Sequence, residues 1–265
     1  MPRFAANLSM MFTEAPFLER FAAAAEAGFR AVEFLFPYEF EPSAIAERLR
    51  GAGLENVLFN LPPGDLAAGD RGMACIPGRE TEFRESLETA LRYADALGTR
   101  RLHCMAGIVP AGAARDAYAS TLIQNLRYAA NKAGRHGVTL LLEPLNTRDV
   151  PGYFHSTQAE AHAICEAVAA PNVKMQMDCY HMQIMEGDLA IKLRRYLPDC
   201  GHIQIAGVPE RHEPDRGEVN YDYIFSLLDE LGYTGWIGCE YRPAGKTADG
   251  LGWLAPYGIG RGMAT

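Results

Sequence analysis

The chain has 265 residues, of which 48% are hydrophobic and 22% are charged, an ordinary composition for a globular protein with a full core. Its net charge is −8, and the absence of any basic run argues against a protein that binds the nucleic-acid backbone. No apolar stretch approaches the ~18 residues of a membrane span. Asn7 and Ser9 interrupt the apolar core that a signal peptide would need, so we expect a cytoplasmic protein without membrane partners.

One pattern repeats along the whole chain: a short apolar run, then a helical pattern that closes at Gly or Pro. Runs of this length suit strands, and strands that alternate with helices indicate parallel β-α units. Thr157 and Glu160 form a capping box at the start of one predicted helix. We therefore predict an α/β fold, a (β/α)₈ TIM barrel, as a single domain over residues 1–265. A doubly wound open sheet is the alternative, because spacing does not determine strand order. The predicted strands are residues 4–7, 31–34, 56–60, 101–104, 139–143, 173–178, 202–205 and 236–240.

The connection after the third predicted strand, residues 61–79, is rich in Pro and Gly and too long for an ordinary loop. In a barrel it would emerge on the C-terminal face, where active sites lie. We predict an active-site loop that acts as a lid, with a tolerated insertion as the alternative. Residues 255–265, which contain the run Gly258–Gly262, are predicted to form a flexible C-terminal tail.

The later predicted strands end in polar side chains, namely Glu143, Asp178, Gln204 and Glu240. In a barrel these four positions would converge on one mouth, although strand ends are also polar simply because they meet solvent. Residues two positions earlier share the same face of each strand. Gly238 would then leave space inside the barrel, and a polar layer formed by two further side chains would lie beneath the mouth. These two side chains are Gln176 and His202.

Three carboxylates crowded together repel one another unless a cation lies between them. Carboxylate and amide oxygens are hard ligands, so this set favours Mg²⁺ or Mn²⁺ over Zn²⁺. Such a site could stabilise the enediolate of an aldose–ketose type isomerisation, with Glu143 and Glu240 as acid and base. No G-x-G-x-x-G or P-loop motif is present, so we expect no nucleotide or flavin cofactor.

Three further side chains are candidates for substrate binding. His181 follows the sixth predicted strand and could hydrogen bond to a substrate oxygen. Arg211 follows the seventh strand and could pair with a substrate carboxylate, and Arg71 in the long loop is a second candidate for that role. A solvated loop is the alternative location for both arginines. His103, near the end of the fourth strand, is expected to be a polar core residue.

Several segments together resemble the hydroxypyruvate isomerase family of xylose-isomerase-like barrels. The resemblance implies a (β/α)₈ barrel that interconverts hydroxypyruvate and tartronate semialdehyde. It also implies catalytic glutamates at Glu143 and Glu240, and metal ligands at these two residues, Asp178 and Gln204. Related ketose epimerases have a histidine at the position of Gln204, which argues against that branch. The segments are residues 31–38, 76–80, 125–130, 180–183, 217–221 and 238–241.

The 2-oxo-tetronate isomerases form a sister group that residues 1–13 and 204–214 resemble more closely. Residues 70–72, 143–146, 151–152 and 185–187, closer to the predicted site, resemble hydroxypyruvate isomerases. Both substrates are short 2-oxo acids with an adjacent hydroxyl, so the implied mechanism is the same. A barrel nuclease acting at abasic sites would need a histidine-rich zinc cluster and a positive groove. A non-enzymatic barrel that binds a sugar acid is a further alternative, and homo-oligomerisation stays open.

Overall fold

The sheet is a closed barrel, seen in a computed structural model that describes residues 1–260. Eight parallel strands pair in chain order, and the first also pairs with the last. The predicted (β/α)₈ barrel is therefore confirmed, and the open doubly wound sheet is wrong because closure leaves no free edge. The strands are β1 (Arg3–Asn7), β2 (Ala31–Glu33), β3 (Glu55–Asn60), β4 (Arg101–His103), β5 (Thr139–Leu142), β6 (Val173–Asp178), β7 (Cys200–Ile205) and β8 (Trp236–Cys239).

Amphipathic helices surround the barrel. The third carries a buried stripe that includes Phe83, Leu87 and Leu91 and ends at Gly98, whose φ of 71° is a left-handed value that favours glycine. The predicted capping box of Thr157 and Glu160 is confirmed. The helices are α1 (Arg20–Glu26), α2 (Pro42–Ala52), α3 (Glu80–Leu97), α4 (Arg115–Arg135), α5 (Gln158–Val168), α6 (Cys179–Met185), α7 (Leu189–Tyr196) and α8 (Tyr221–Glu230), with 3₁₀ helices at Phe17–Glu19, Leu197–Asp199 and Thr247–Tyr257.

Two apolar clusters make up the core. The larger lies between the barrel and the helices. The smaller occupies the middle of the barrel, since Ala5, Ala31 and Leu141 share the inner faces of their strands with Asn7, Glu33 and Glu143. An eight-stranded barrel encloses only enough space for packed side chains. The apolar middle therefore separates two polar ends, of which the C-terminal one carries the predicted site.

The long connection of residues 61–79 packs against neighbouring segments over much of its length. Ala74 and Cys75 are fully buried, and the backbone N–H of Cys75 donates to the carbonyl of Ala106 at 2.8 Å. Asn125 on α4 donates from Nδ2 to the carbonyl of Ala74 at 2.9 Å. The exposed parts of the loop are residues 65–69 and 77–78. The lid function stays a prediction.

The described part of the C-terminal segment packs on the barrel. Tyr257 makes an edge contact with Phe4, with ring centroids 4.9 Å apart. Ile259 is buried, and the backbone N–H of Gly260 donates to the carbonyl of Ala27 at 2.7 Å. Residues 258–260 thus form part of the packed structure, in contrast to the predicted flexible end, and the remainder of that tail lies outside the described residues. Within residues 1–260, no helix combines the length and apolarity needed to cross a membrane.

Candidate active site

Four side chains meet at the C-terminal mouth of the barrel. Glu143 and Glu240 directly follow β5 and β8, Asp178 ends β6, and His181 lies in the first turn of α6. One ligand atom from each lies within 4.8 Å of the others. Each residue is at most 4% exposed. Three of the four strand ends predicted to converge therefore do so around a shared pocket.

The three carboxyl groups share a strongly perturbed electrostatic environment. Burial, and then the nearby charges of Glu240 and Asp178, raise the pKa of Glu143 well above its usual range. Burial also raises the pKa of Glu240 to about 8 and that of Asp178 to about 6, although Arg211 opposes both shifts. Carboxyl groups with pKa values near neutrality can accept and release protons during catalysis.

The mouth is also suited to a divalent cation. Three carboxylates supply oxygen donors of the hard type that Mg²⁺ and Mn²⁺ prefer. Glu143 Oε1 and Asp178 Oδ2 are buried, and neither has a hydrogen-bond partner among the described residues. Buried oxygens without partners are costly unless another group satisfies them. The cluster could therefore hold a metal ion, as predicted from the strand ends.

Arg211 extends its guanidinium into this acidic pocket. Its Nη2 donates to Glu240 Oε2 at 2.6 Å and lies 3.7 Å from Asp178 Oδ2. The guanidinium also stacks over the ring of Tyr180 at 4.7 Å. Burial would lower the pKa of Arg211, but the surrounding carboxylates outweigh it and raise that pKa. The arginine is therefore a fixed cation at the mouth, with donors suited to an anionic substrate.

His181 presents a hydrogen-bond donor to the pocket. Its Nδ1 accepts the backbone N–H of Asn146 at 3.0 Å. Burial, followed by the charge of Arg211, lowers the pKa of His181 well below its usual range, so the ring is neutral. A neutral ring whose Nδ1 accepts must carry its proton on Nε2. That atom lies 3.6 Å from Asp178 Oδ2.

A layer of buried polar side chains lies directly beneath the mouth. Glu33 is at its centre and accepts hydrogen bonds from Gln204 at 2.7 Å and Asn7 at 3.0 Å, and contacts His202 at 2.7 Å. Asn7 also donates to Glu240 Oε1 at 3.3 Å and so links this layer to the site. The predicted polar layer of His202 and its neighbour Gln176 is confirmed. Sequence reasoning did not identify Asn7 or Glu33, although Glu33 also ends a strand in a carboxylate.

Gln204 lies between the mouth and this layer. Its Oε1 accepts from Gln176 Nε2 at 2.6 Å, and its Nε2 donates to Glu33 at 2.7 Å. Both ends of the amide are thus engaged by neighbouring side chains. Its role as a metal ligand stays a prediction, and it would require the carbonyl oxygen to share or give up the Gln176 hydrogen bond.

Arg71 and His103, both singled out in the sequence, lie in different surroundings. Arg71 Nη1 donates to the carbonyls of Asp70 and Leu66, so its guanidinium stabilises the conformation of the long loop. His103 is buried, and its Nδ1 lies 3.4 Å from Glu143 Oε2. Burial lowers the pKa of His103 to about 3, so the ring is neutral. The expected polar core residue is therefore also a direct neighbour of a site carboxylate.

Gly238 leaves space inside the barrel, as its position two residues before Glu240 predicted, and Glu33 occupies that space. A Cβ at Gly238 would lie 2.3 Å from Glu33 Oε2. We expect Gly238→Ala to lower the free energy of unfolding by about 1–3 kcal/mol, because overpacking forces buried groups apart. Urea denaturation measures this effect. Gly51→Ala in α2 is the matched control, since its Cβ would meet nothing within 4 Å. Equal stability of the two variants would contradict the steric argument.

Known proteins of similar sequence and structure match nearly the whole chain. It is 59% identical to the 2-oxo-tetronate isomerase of Cupriavidus necator, over 98% of this chain and all of that protein. It is 48% identical to the hydroxypyruvate isomerase of Escherichia coli, over 97% of this chain and all of that one. A crystal structure titled AP endonuclease, family 2, from Brucella melitensis superposes with a TM-score of 0.96 at 58% identity, covering 97% of this chain and 99% of that one.

The sequence family that matches is described as xylose isomerase-like TIM barrel, and the match covers residues 21–257. This match spans most of the barrel and includes the four mouth residues Glu143, Asp178, His181 and Glu240. The relatives above that carry curated activity names are both isomerases. The chain belongs to the xylose isomerase-like TIM barrel family, and the two relatives compared above are isomerases.

Proposed function

We propose that this chain interconverts hydroxypyruvate and tartronate semialdehyde (2-hydroxy-3-oxopropanoate) through an enediolate. The observation that carries the proposal is the pair of buried carboxyl groups, Glu143 and Glu240, beside one fixed cation and one neutral histidine donor. Isomerisation moves one proton between adjacent carbons and needs a base and an acid close together. The shared pocket supplies both groups within 4.8 Å.

The environment of the two glutamates suggests which is base and which is acid. Burial raises the pKa of both glutamates, but Arg211 bonds to Glu240 and opposes the rise there, so Glu240 gives up its proton more readily than Glu143. In the direction from hydroxypyruvate, Glu240 takes a proton from C3 and Glu143 gives a proton to C2. The hydroxyl proton on the C3 oxygen passes to the C2 oxygen, so carbonyl and hydroxyl exchange places. Proton exchange with solvent then restores both glutamates.

Arg211 and His181 would hold the substrate. The guanidinium offers paired N–H donors to the substrate carboxylate, and the Nε2–H of His181 offers one donor to a substrate oxygen. Arg71 contacts the loop carbonyls through Nη1 alone, and its Nε and Nη2 donors would supply the second candidate contact to the substrate carboxylate. These contacts orient C2 and C3 between the glutamates, and orientation of this kind accounts for much of enzymatic catalysis.

We propose Mg²⁺ or Mn²⁺ as the resident metal. Glu143, Asp178 and Glu240 would hold it, with Gln204 as the predicted fourth ligand if its amide changes partner. When bound, a divalent cation supplies charge neutralisation and stabilises negative charge that develops on substrate oxygens. In the absence of substrate, the cation would also offset the mutual repulsion of the three carboxylates.

A 2-oxo-tetronate is the second candidate substrate. The specific observation in its favour is the 59% identity with the Cupriavidus necator enzyme, against 48% with the hydroxypyruvate isomerase. The proton transfers at C2 and C3 would be the same for both substrates. The difference lies in the additional hydroxymethyl carbon of the longer acid, which needs space beside the glutamates.

A nuclease acting at abasic sites has less support. The mouth combines three carboxylates with one histidine, and a histidine-rich zinc cluster would need a different donor set. A chain with a net charge of −8 is poorly suited to DNA. We therefore propose an enzyme with a small-molecule substrate and without nucleic-acid partners. Its cytoplasmic location and lack of membrane partners are further proposals, which follow from the sequence expectation.

Proton NMR in D₂O tests the proposal and separates the two substrates. Purified protein with Mg²⁺ or Mn²⁺ is mixed with hydroxypyruvate or with a 2-oxo-tetronate, and product formation and deuterium incorporation are followed. We expect turnover with deuterium entering at the carbon that receives the proton. The larger kcat/KM identifies the preferred acid, and a chelator-treated sample measures dependence on the metal. Absence of turnover on every 2-oxo acid would leave a binding protein and overturn the proposal.

A further inference from the structure

A second polar cavity lies at the N-terminal end of the barrel, away from the mouth. Its volume is about 720 Å³, which is within the usual range for small-molecule pockets. The first residues of several strands line it, and the loops that lead into β6, β7 and β8 complete its wall. The side chains that matter here are Arg3, Glu55, Arg101, Lys174, Arg194 and Trp236.

The cavity concentrates positive charge on a chain that is acidic as a whole. Two of its cations have partners, since Lys174 pairs with Asp199 at 3.3 Å and Arg194 pairs with Glu230 at 3.5 Å. Glu55 is the single carboxylate among the residues that line it. Counting the lining side chains gives four cations against one anion, on a chain with a net charge of −8. Because Lys174 and Arg194 are paired with carboxylates, the unpaired positive charge of the cavity comes from Arg3 and Arg101.

Arg3 and Arg101 are the two cations that lack an ion-pair partner among residues 1–260. Arg101 is half-buried, and its Nε donates to the carbonyl of Gly201 at 2.8 Å, which holds the guanidinium in place. The guanidinium of Arg3 stacks over Trp236 at 4.7 Å and donates to the carbonyl of Thr234. Both groups are anchored through one side and keep further N–H donors for a ligand.

We propose that this cavity binds a small phosphorylated molecule. Two anchored guanidinium groups and the ammonium of Lys174 line this cavity, and all three can donate charged hydrogen bonds to phosphate oxygens. The volume exceeds that of a phosphate ion, and the rings of Tyr233 and Trp236 provide a surface for an organic group. The apolar cluster in the middle of the barrel separates this cavity from the mouth. We therefore expect that a ligand in this cavity does not compete directly with the isomerase substrate at the mouth.

Isothermal titration of the metal-loaded protein with inorganic phosphate and phenyl phosphate, at about 50 mM salt to limit screening, tests this proposal. We expect saturable binding of phenyl phosphate. Arg3→Gln and Arg101→Gln should each weaken it by about tenfold, since each removes a charged hydrogen-bond donor. Arg92→Gln is the matched control, because Arg92 is exposed on α3, outside the cavity, and this variant should bind within about twofold of the parent.

Thermal unfolding of each variant checks that it is folded, and the exposed Arg3 keeps the test valid if Arg101→Gln is unstable. Inhibition kinetics provide the second readout, in which phenyl phosphate should leave the KM for the 2-oxo acid unchanged. Absence of saturable binding, binding that both variants retain, or competition with the substrate would each overturn the proposal.

Discussion

Replacing Glu240 or Glu143 by Gln is expected to lower kcat for the 2-oxo acid by at least about a hundredfold, the lower end of general acid–base contributions. Glutamine keeps the shape of the side chain but neither accepts nor releases a proton. Steady-state kinetics with hydroxypyruvate measure the effect. Glu85→Gln on α3 removes the same charge from an exposed position and should leave kcat unchanged.

The two substitutions should differ in the partial reaction that they still allow. With Glu240 present and Glu143→Gln, the C3 proton of hydroxypyruvate should exchange with D₂O although little product forms. With Glu240→Gln, neither exchange nor product is expected. Measuring the Mn²⁺ affinity of both variants distinguishes a loss of proton transfer from a loss of metal binding. Near-normal turnover in either variant would reject the role assigned to that glutamate, and a reversed exchange pattern would exchange the two roles.

The carboxylates of the mouth were predictable because their signal is local. Glu143, Asp178 and Glu240 each end an apolar run, and alternation along a strand then determines which side chains share the inner face. A closed parallel barrel brings the carboxyl ends of all strands together. Once the repeat indicated a barrel, these three carboxylates could be placed at its mouth without any knowledge of distances.

The depth of a side chain inside the barrel was not predictable, because strand register determines it. Gln204 is level with Asp178 on one neighbouring strand and with Gly238 on the other, so it lies between two layers. The β6–β7 pairing also contains a register shift at Met175. Glu33 bonds to Gln204 across 171 positions of sequence, and no local pattern encodes such a pair. Alternation therefore identified the inward residues but not their partners.

The free energy of unfolding of the metal-free protein should fall as pH rises from about 5 to about 8. In the fold, burial raises the pKa of Glu240 to about 8 and that of Asp178 to about 6, whereas both groups ionise near pH 4 when unfolded. Between these values the folded state binds more protons than the unfolded state. The slope of unfolding free energy against pH is therefore negative, and each unit of raised pKa corresponds to about 1.4 kcal/mol lost at high pH.

Thermal unfolding of chelator-treated protein at pH 6 and pH 8 measures this loss, which should lower Tm by several degrees, since ~1 kcal/mol shifts Tm by about 2–4 °C at this chain length. Adding Mn²⁺ should raise Tm more at pH 8 than at pH 6, because ionised carboxylates bind the cation more tightly than protonated ones. Asp178→Asn removes one of these carboxylates and should reduce both the pH dependence and the response to Mn²⁺. A metal-free protein whose Tm is the same at both pH values would show that burial does not raise the pKa values of these carboxyl groups, and the acid role of Glu143 would lose its electrostatic basis.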